Sequence, residues 1–186
     1  MKLNPAVDCV IFLSKEDDKY LVLGGIGTYI GVLSRTIKQV SPKTKVYWIT
    51  GSPRNSDFIE VDDFGVNRVY VSKSIDPKKY KFYDSLLQDQ RSLTEKVYFN
   101  NKVTEKALEI IKQNETKNIV IESGEWEGLG SDLFNILDKQ NIAKVVRLHT
   151  PLATCIKQNN LELSAANNYQ LLVENQIIRC ADLISA

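Results

Sequence analysis

Histidine is almost missing from this 186-residue chain: His149 is the only one, and it stands beside one methionine, two tryptophans and three cysteines. Cys9, Cys155 and Cys180 are odd in number and far apart, which suits neither a disulfide scaffold nor a cysteine-ligated zinc site. Cys9 falls in a predicted strand and Cys180 on an apolar helix face, so both read as reduced core thiols. An excess of one charge is missing too: 24 Lys and Arg face 23 Asp and Glu. That balance argues against broad electrostatic binding of nucleic acid. The one tight basic cluster, Lys78, Lys79 and Lys81, reads as a solvated face. No run approaches the roughly 18 uninterrupted apolar residues of a membrane span, and the N-terminus lacks the layout of a signal peptide. These absences together point to the cytoplasm. Internal repeats and low-complexity tracts are absent as well.

What is present is an ordinary globular composition, 43% apolar and 25% charged, in a length that buries a sizeable core. Val7 to Leu13 reads as a first, buried strand. From Gly25, a helix is predicted by Ile26, Tyr29, Ile30, Leu33 and Ile37 at helical spacing, closed by Ser41-Pro42. Val46 to Ile49 is a second strand, and Phe58 to Val61 and Val66 to Val71 read as short strands or edges. Residues 79–113 read as helical in two pieces around Leu93-Thr94, the second facing inward through Val103, Ala107, Ile110 and Ile111. Asn118 to Ile121 is a further strand, followed by a glycine-rich turn and a helix over about 128–140. Val145, Val146 and Leu148 form the next strand. A last helix over about 164–180 starts at Ser164 and faces the core through Tyr169, Leu172, Val173, Ile177 and Cys180. Leu183-Ile184 opens one more strand. Strands alternating with helices mean βαβ units, a parallel sheet and a single Rossmann-like α/β domain over 1–186, with helices on both faces.

His149 falls just past its strand. In open α/β sheets ligands bind in the crevice outside the carboxyl ends of the strands, so a lone imidazole there is placed to touch a substrate. Gly24-Gly25-Ile26-Gly27 turns into the first helix, where backbone N–H groups and the helix dipole favour an anion such as phosphate. The competing reading is that these glycines only permit a tight turn and close packing. A dinucleotide fingerprint fails on two counts: the glycine after Gly25-x-Gly27 comes at 31, and the second strand ends Ile49-Thr50-Gly51 without a carboxylate. The segment Glu122-Ser123-Gly124-Glu125-Trp126-Glu127-Gly128 offers an indole to stack on a sugar ring and, in Glu125, an acceptor for hydroxyls. Glutamates at a helix start are also favoured by the dipole alone. Glu127 reads as a solvated charge.

Gly24-Gly25-Ile26-Gly27-Thr28-Tyr29, the Val120-Ile121-Glu122 strand with its Glu125-Trp126-x-Gly128-x-Gly130 loop, and Arg147-Leu148-His149-Thr150-Pro151-Leu152 with Glu174 and Arg179-Cys180-Ala181-Asp182 are arranged in an order and spacing that resemble the N-terminal domain of family 4 glycosyltransferases, of the GT-B class. The resemblance implies a retaining hexosyl transfer from a nucleotide sugar to a glycan, lipid or small-molecule acceptor. It implies Gly25 and Gly27 near the donor diphosphate and His149, as catalytic residue, beside the transferred sugar. It implies Glu125, Trp126 and Thr150 on the substrate, and no metal or other cofactor. A lipid acceptor would bring the protein to the inner membrane surface. The family's donor-binding glutamates and basic residues belong to a second, C-terminal domain. This chain stops within a predicted strand, so it is expected to be truncated before that domain, inactive alone and prone to self-association through the cut surface. Two alternatives are a non-catalytic sugar-binding or interaction domain and a nucleotide-dependent reductase or epimerase.

Overall fold

The computed structural model describes residues 6–22, 24–76, Tyr80, 83–160 and 162–186. The basic cluster Lys78, Lys79 and Lys81 and the first residues of the helical reading from 79 therefore lie outside the described residues, Tyr80 excepted. Seven strands make one sheet in the order β3-β4-β2-β1-β5-β6-β7: β1 (Cys9–Leu13), β2 (Lys45–Gly51), β3 (Phe58–Val61), β4 (Asn67–Val71), β5 (Ile119–Gly124), β6 (Ile142–Arg147) and β7 (Leu183–Ser185). All pairings are parallel except β3 with β4, which run antiparallel as an edge ribbon. The central β1, buried at every position, is an unbroken apolar run because both its faces are covered.

Helix α1 (Gly25–Val40) covers one face, packing Ile30 with Ile26 and Leu33 onto Val10, Phe12, Val46 and Trp48. The other face carries α2 (Gln88–Gln113), α3 (Ser131–Ile136) and α5 (Ala165–Cys180), whose Val103, Ala107, Leu133, Phe134 and Ile177 close the larger core around Ile11, Ile121 and Val146. The chain goes from β1 through α1 to one side, and returns from β4 through α2 to the other. The carboxyl ends of β1 and β5 thus flank the point where strand order reverses, the position at which such sheets bind ligands.

Local readings need four corrections. First, α2 is one helix of 26 residues. Leu93-Thr94 is no break, because the Thr94 hydroxyl donates back to the Gln90 carbonyl within the helix and neither Gly nor Pro interrupts it. Second, α3 is shorter than 128–140 because Gly128 and Gly130 adopt positive φ and hold the chain in a turn before it. Third, residues 152–159 form a further helix, α4 (Leu152–Asn159), whose short apolar signal in the sequence is only Leu152 and Ile156. Fourth, Leu172 is exposed on α5, whose buried face instead includes the polar Gln170 and Glu174. The start of α5 is as expected: Ser164 accepts from the Asn167 N–H, and Asp89 of α2 accepts from the N–H groups of Ala165 and Ala166, satisfying donors the helix cannot. Leu183 and Ile184 lie exposed on the edge strand β7. Among the described residues no helix is long and apolar enough to cross a membrane.

Candidate functional site

A crevice of about 210 Å³ opens between the ends of β1 and β5, lined among others by Ser14, Lys15, Ile26, Gly124, Trp126 and Glu127. His149, two residues past β6, is exposed at this edge. Its ring rests against Gly124, where an added Cβ would come within 3.2 Å of Cδ2, and meets Tyr29 of α1 edge-on at 6.4 Å between centroids. The Tyr29 hydroxyl donates to Glu122 at 2.9 Å, and the Arg147 guanidinium lies 4.8 Å over its ring. Burial, then the charge of Glu122, pushes the Tyr29 phenol up to about 12, so it stays protonated and keeps donating. Three elements of the sheet edge therefore converge beneath the imidazole.

Glu125 is placed differently from the expectation. It is 0% exposed, and both carboxylate oxygens accept the His149 backbone N–H, at 2.7 and 2.6 Å. Its own N–H donates to the Arg147 carbonyl and its carbonyl accepts from Gly128. A carboxylate so enclosed is not available to substrate hydroxyls; it fixes the loop that presents His149. Trp126 does line the crevice, and Thr150 is exposed beside His149.

Glu174, quoted above only as part of the family pattern, is the second buried clamp. Its Oε1 accepts from the Glu127 N–H and the Gln170 amide, and its Oε2 accepts the Leu152 N–H at the start of α4. Burial pushes its carboxyl up, and these hydrogen bonds oppose that.

Glu127 is not the solvated charge expected. Lys15 and Lys96 reach its Oε1 at 2.8 and 3.1 Å, and its backbone sits at φ 63°, ψ −1°, a region a side-chain-bearing residue holds only where its surroundings impose it. Burial pushes its carboxyl up, but the two ammonium groups outweigh this and hold it below its ordinary 4.5. A group with a depressed folded-state pKa stabilises above its unfolded value and loses that contribution as pH falls through the folded one. The Glu127→Gln protein is therefore expected to show a shallower acid-side fall in unfolding free energy than wild type. Parallel acid slopes in urea titrations would remove Glu127 as the source.

The glycine turn is mixed. Gly27 is pressed against the backbone of Asp17, so that a Cβ would sit 2.6 Å from the Asp17 carbonyl oxygen; packing alone demands glycine there. Gly25 is exposed with nothing within 4 Å of a would-be Cβ. The Glu16 carboxylate lies 3.4 Å from the corresponding point on Gly24, so the positive end of α1 already has an acidic neighbour.

Fold and geometry define a doubly wound α/β domain with a crevice at the strand-order reversal. No protein-family model matches this chain, and no curated protein matches it in sequence. Among solved structures, it is similar to the catalytic domain of starch synthase IV from Arabidopsis thaliana bound to ADP and acarbose, with a TM-score of 0.51 and 14% identity, over 77% of this chain and 34% of that one. The likeness is one of fold, and it extends over about a third of that chain.

Proposed function

We propose that this chain is the acceptor-side domain of a retaining glycosyltransferase that takes its sugar from a nucleotide-sugar donor and works opposite a second, nucleotide-holding lobe. The observation that carries this reading is the clamp of Glu125 on the His149 N–H, which holds an exposed imidazole at the switch-point edge of a fold shared with a glycosyltransferase catalytic domain. That starch synthase structure binds ADP and acarbose, a nucleotide and a sugar-like ligand, and the same two ligand chemistries are assigned to this crevice.

In this reading His149 hydrogen-bonds hydroxyls of the transferred sugar and steadies charge as the glycosidic bond to the diphosphate breaks. Trp126 offers a face for a sugar ring, and Thr150 a hydroxyl for its polar edge. The N–H groups around Gly25 and Gly27 approach the diphosphate, which displaces Glu16 from the helix start. Glu125 contributes by positioning. The lobe holding the nucleotide supplies the remaining donor contacts, so this chain alone turns over no donor.

The test is an amide NMR titration of the chain with UDP-glucose, ADP-glucose, GDP-mannose and NADH. Nucleotide sugars are expected to bind weakly and shift amides of the loops at 24–27, 124–130 and 148–150. The His149→Ala protein should remain folded and bind about tenfold more weakly, the equivalent of one lost hydrogen bond. Tight NADH binding, or nucleotide sugars that leave those loops unshifted, would overturn the reading.

A further inference from the structure

Beside the crevice, on the α2 side of the sheet, lies a second cavity of about 130 Å³ lined by Lys15, Lys73, Lys96, Ser92, Glu95 and Glu127 among others. The two cavities share Lys15, Glu127 and Leu129 as their common wall. The three lysines come from the loop after β1, the loop after β4 and the body of α2, so only the tertiary fold gathers them.

One carboxylate serves two of these ammonium groups, and none forms an ion pair with the third among the described residues. Lys15 and Lys96 both bind the same oxygen of Glu127, and Lys96 also donates to the Gln170 side-chain Oε1 at 2.8 Å. Glu95 accepts from the Tyr83 hydroxyl. Among the described residues Lys73 makes no hydrogen bond and no ion pair, although it is half-buried. Its position is nonetheless built in. Its stem crosses Gly51 so closely that a Cβ at 51 would overlap Cε and lie 2.7 Å from Nζ. Burial, and then the charge of Lys15, lowers the Lys73 pKa; the carboxylates of Glu127, Asp17 and Glu16 oppose this only in part. A fixed, partly desolvated ammonium among other ammonium groups is stabilised by an anion from outside.

Resting on the glycosyltransferase reading, we infer that this cavity is a subsite for an anionic group of the acceptor, a phosphate monoester or a carboxylate, held by Lys73 together with Lys15 and Lys96. The donor diphosphate is assigned to the start of α1, which covers the opposite face of the sheet, so the two anions sit on either side of the crevice where the sugar is transferred. Phosphate would enter as a point-charge partner of the three amines, with the Ser92 hydroxyl available as a further donor.

The experiment titrates the chain with inorganic phosphate, with and without saturating UDP-glucose, following backbone amides and the lysine side chains. Phosphate is expected to shift the Lys73 Cε and Nζ resonances and the amides around 73, 92, 96 and 127, with no loss on adding UDP-glucose. The Lys73→Met protein should keep its melting temperature, since no hydrogen bond or ion pair is lost, and bind phosphate about tenfold more weakly. Gly51→Ala, which pushes the flexible Lys73 stem aside and crowds the Lys15 carbonyl oxygen at 3.0 Å, should weaken phosphate binding in the same direction. Phosphate that shifts only the Gly24–Gly27 amides, binds Lys73→Met unchanged or fails to bind at all would overturn the subsite. Competition between phosphate and UDP-glucose at the lysines would give the cluster to the donor and overturn its assignment to the acceptor. Each of these outcomes leaves the nucleotide-sugar shifts around His149 as a separate readout, so failure of the subsite and failure of the glycosyltransferase reading are told apart.

Discussion

Replacing Arg68 with alanine is expected to cost about 3–5 kcal/mol of folding free energy, the usual consequence of removing one partner from a buried ionic cluster. Arg68 is 2% exposed and lies 4.9 Å over the Trp48 ring. Its guanidinium binds Asp18 at 2.5 Å through one nitrogen and Asp62 at 3.0 and 3.2 Å through two others. Burial disfavours its charge, but the two carboxylates outweigh this and raise its pKa. Truncation leaves Asp62 with backbone donors only and Asp18 with Arg35 alone. Lost packing of the long stem against Trp48 adds to the cost. Urea unfolding with an unchanged m-value and a fall in midpoint would register it; a loss under about 1 kcal/mol, as for an exposed pair, would show that the cluster contributes little. The consequence reaches the site, because Asp18 belongs to the loop between β1 and α1 that borders the crevice.

Glu125→Ala is expected to lose about 2–4 kcal/mol, from the cavity left by a fully enclosed side chain and from the lost charge-assisted hydrogen bond to His149. More diagnostic than the melting temperature is hydrogen exchange: the His149 amide should become labile while the amides of β1 and β5 stay protected. Glu125→Gln keeps one carbonyl acceptor for that N–H and should cost under about 1.5 kcal/mol. Equal melting of wild type and Glu125→Ala would mean that the carboxylate does not hold the loop. On the proposed function, nucleotide-sugar binding should fall in Glu125→Ala as far as in His149→Ala, since the imidazole is then present but unplaced.

The sequence by itself determined the layers. Apolar runs at β1, β2, β5 and β6, separated by helical periodicity at α1 and α5, dictate a mainly parallel sheet, and the hydrophobic pattern is local enough to read. It also put His149 just past β6, because the end of an apolar strand followed by Thr150-Pro151 marks where the chain leaves the sheet. The antiparallel direction of β3 escaped it, though not the strand itself, since a four-residue edge strand with every second residue exposed carries no sign of its partner's direction. So did α4, whose Pro151 ahead of the first turn was the signal to hand.

Only the tertiary structure decided what the charged residues do. Glu125 meets His149 across 24 positions and Lys15 meets Glu127 across 112. Glu174 ties the turn at 127 to the start of α4. No periodicity records such pairings, because a carboxylate's role depends on which distant donors the packing brings within hydrogen-bond reach and on whether water is excluded there. Glu125, Trp126 and Glu127 are neighbours in sequence, yet the first is sealed under a loop, the second lines the crevice and the third is shared by two lysines. Lys73 and Lys96 gave no signal at all: a lysine after a strand or on a helix is ordinarily solvated, and only the close approach of Gly51 and the return of α2 past the sheet edge turn the two toward one cavity.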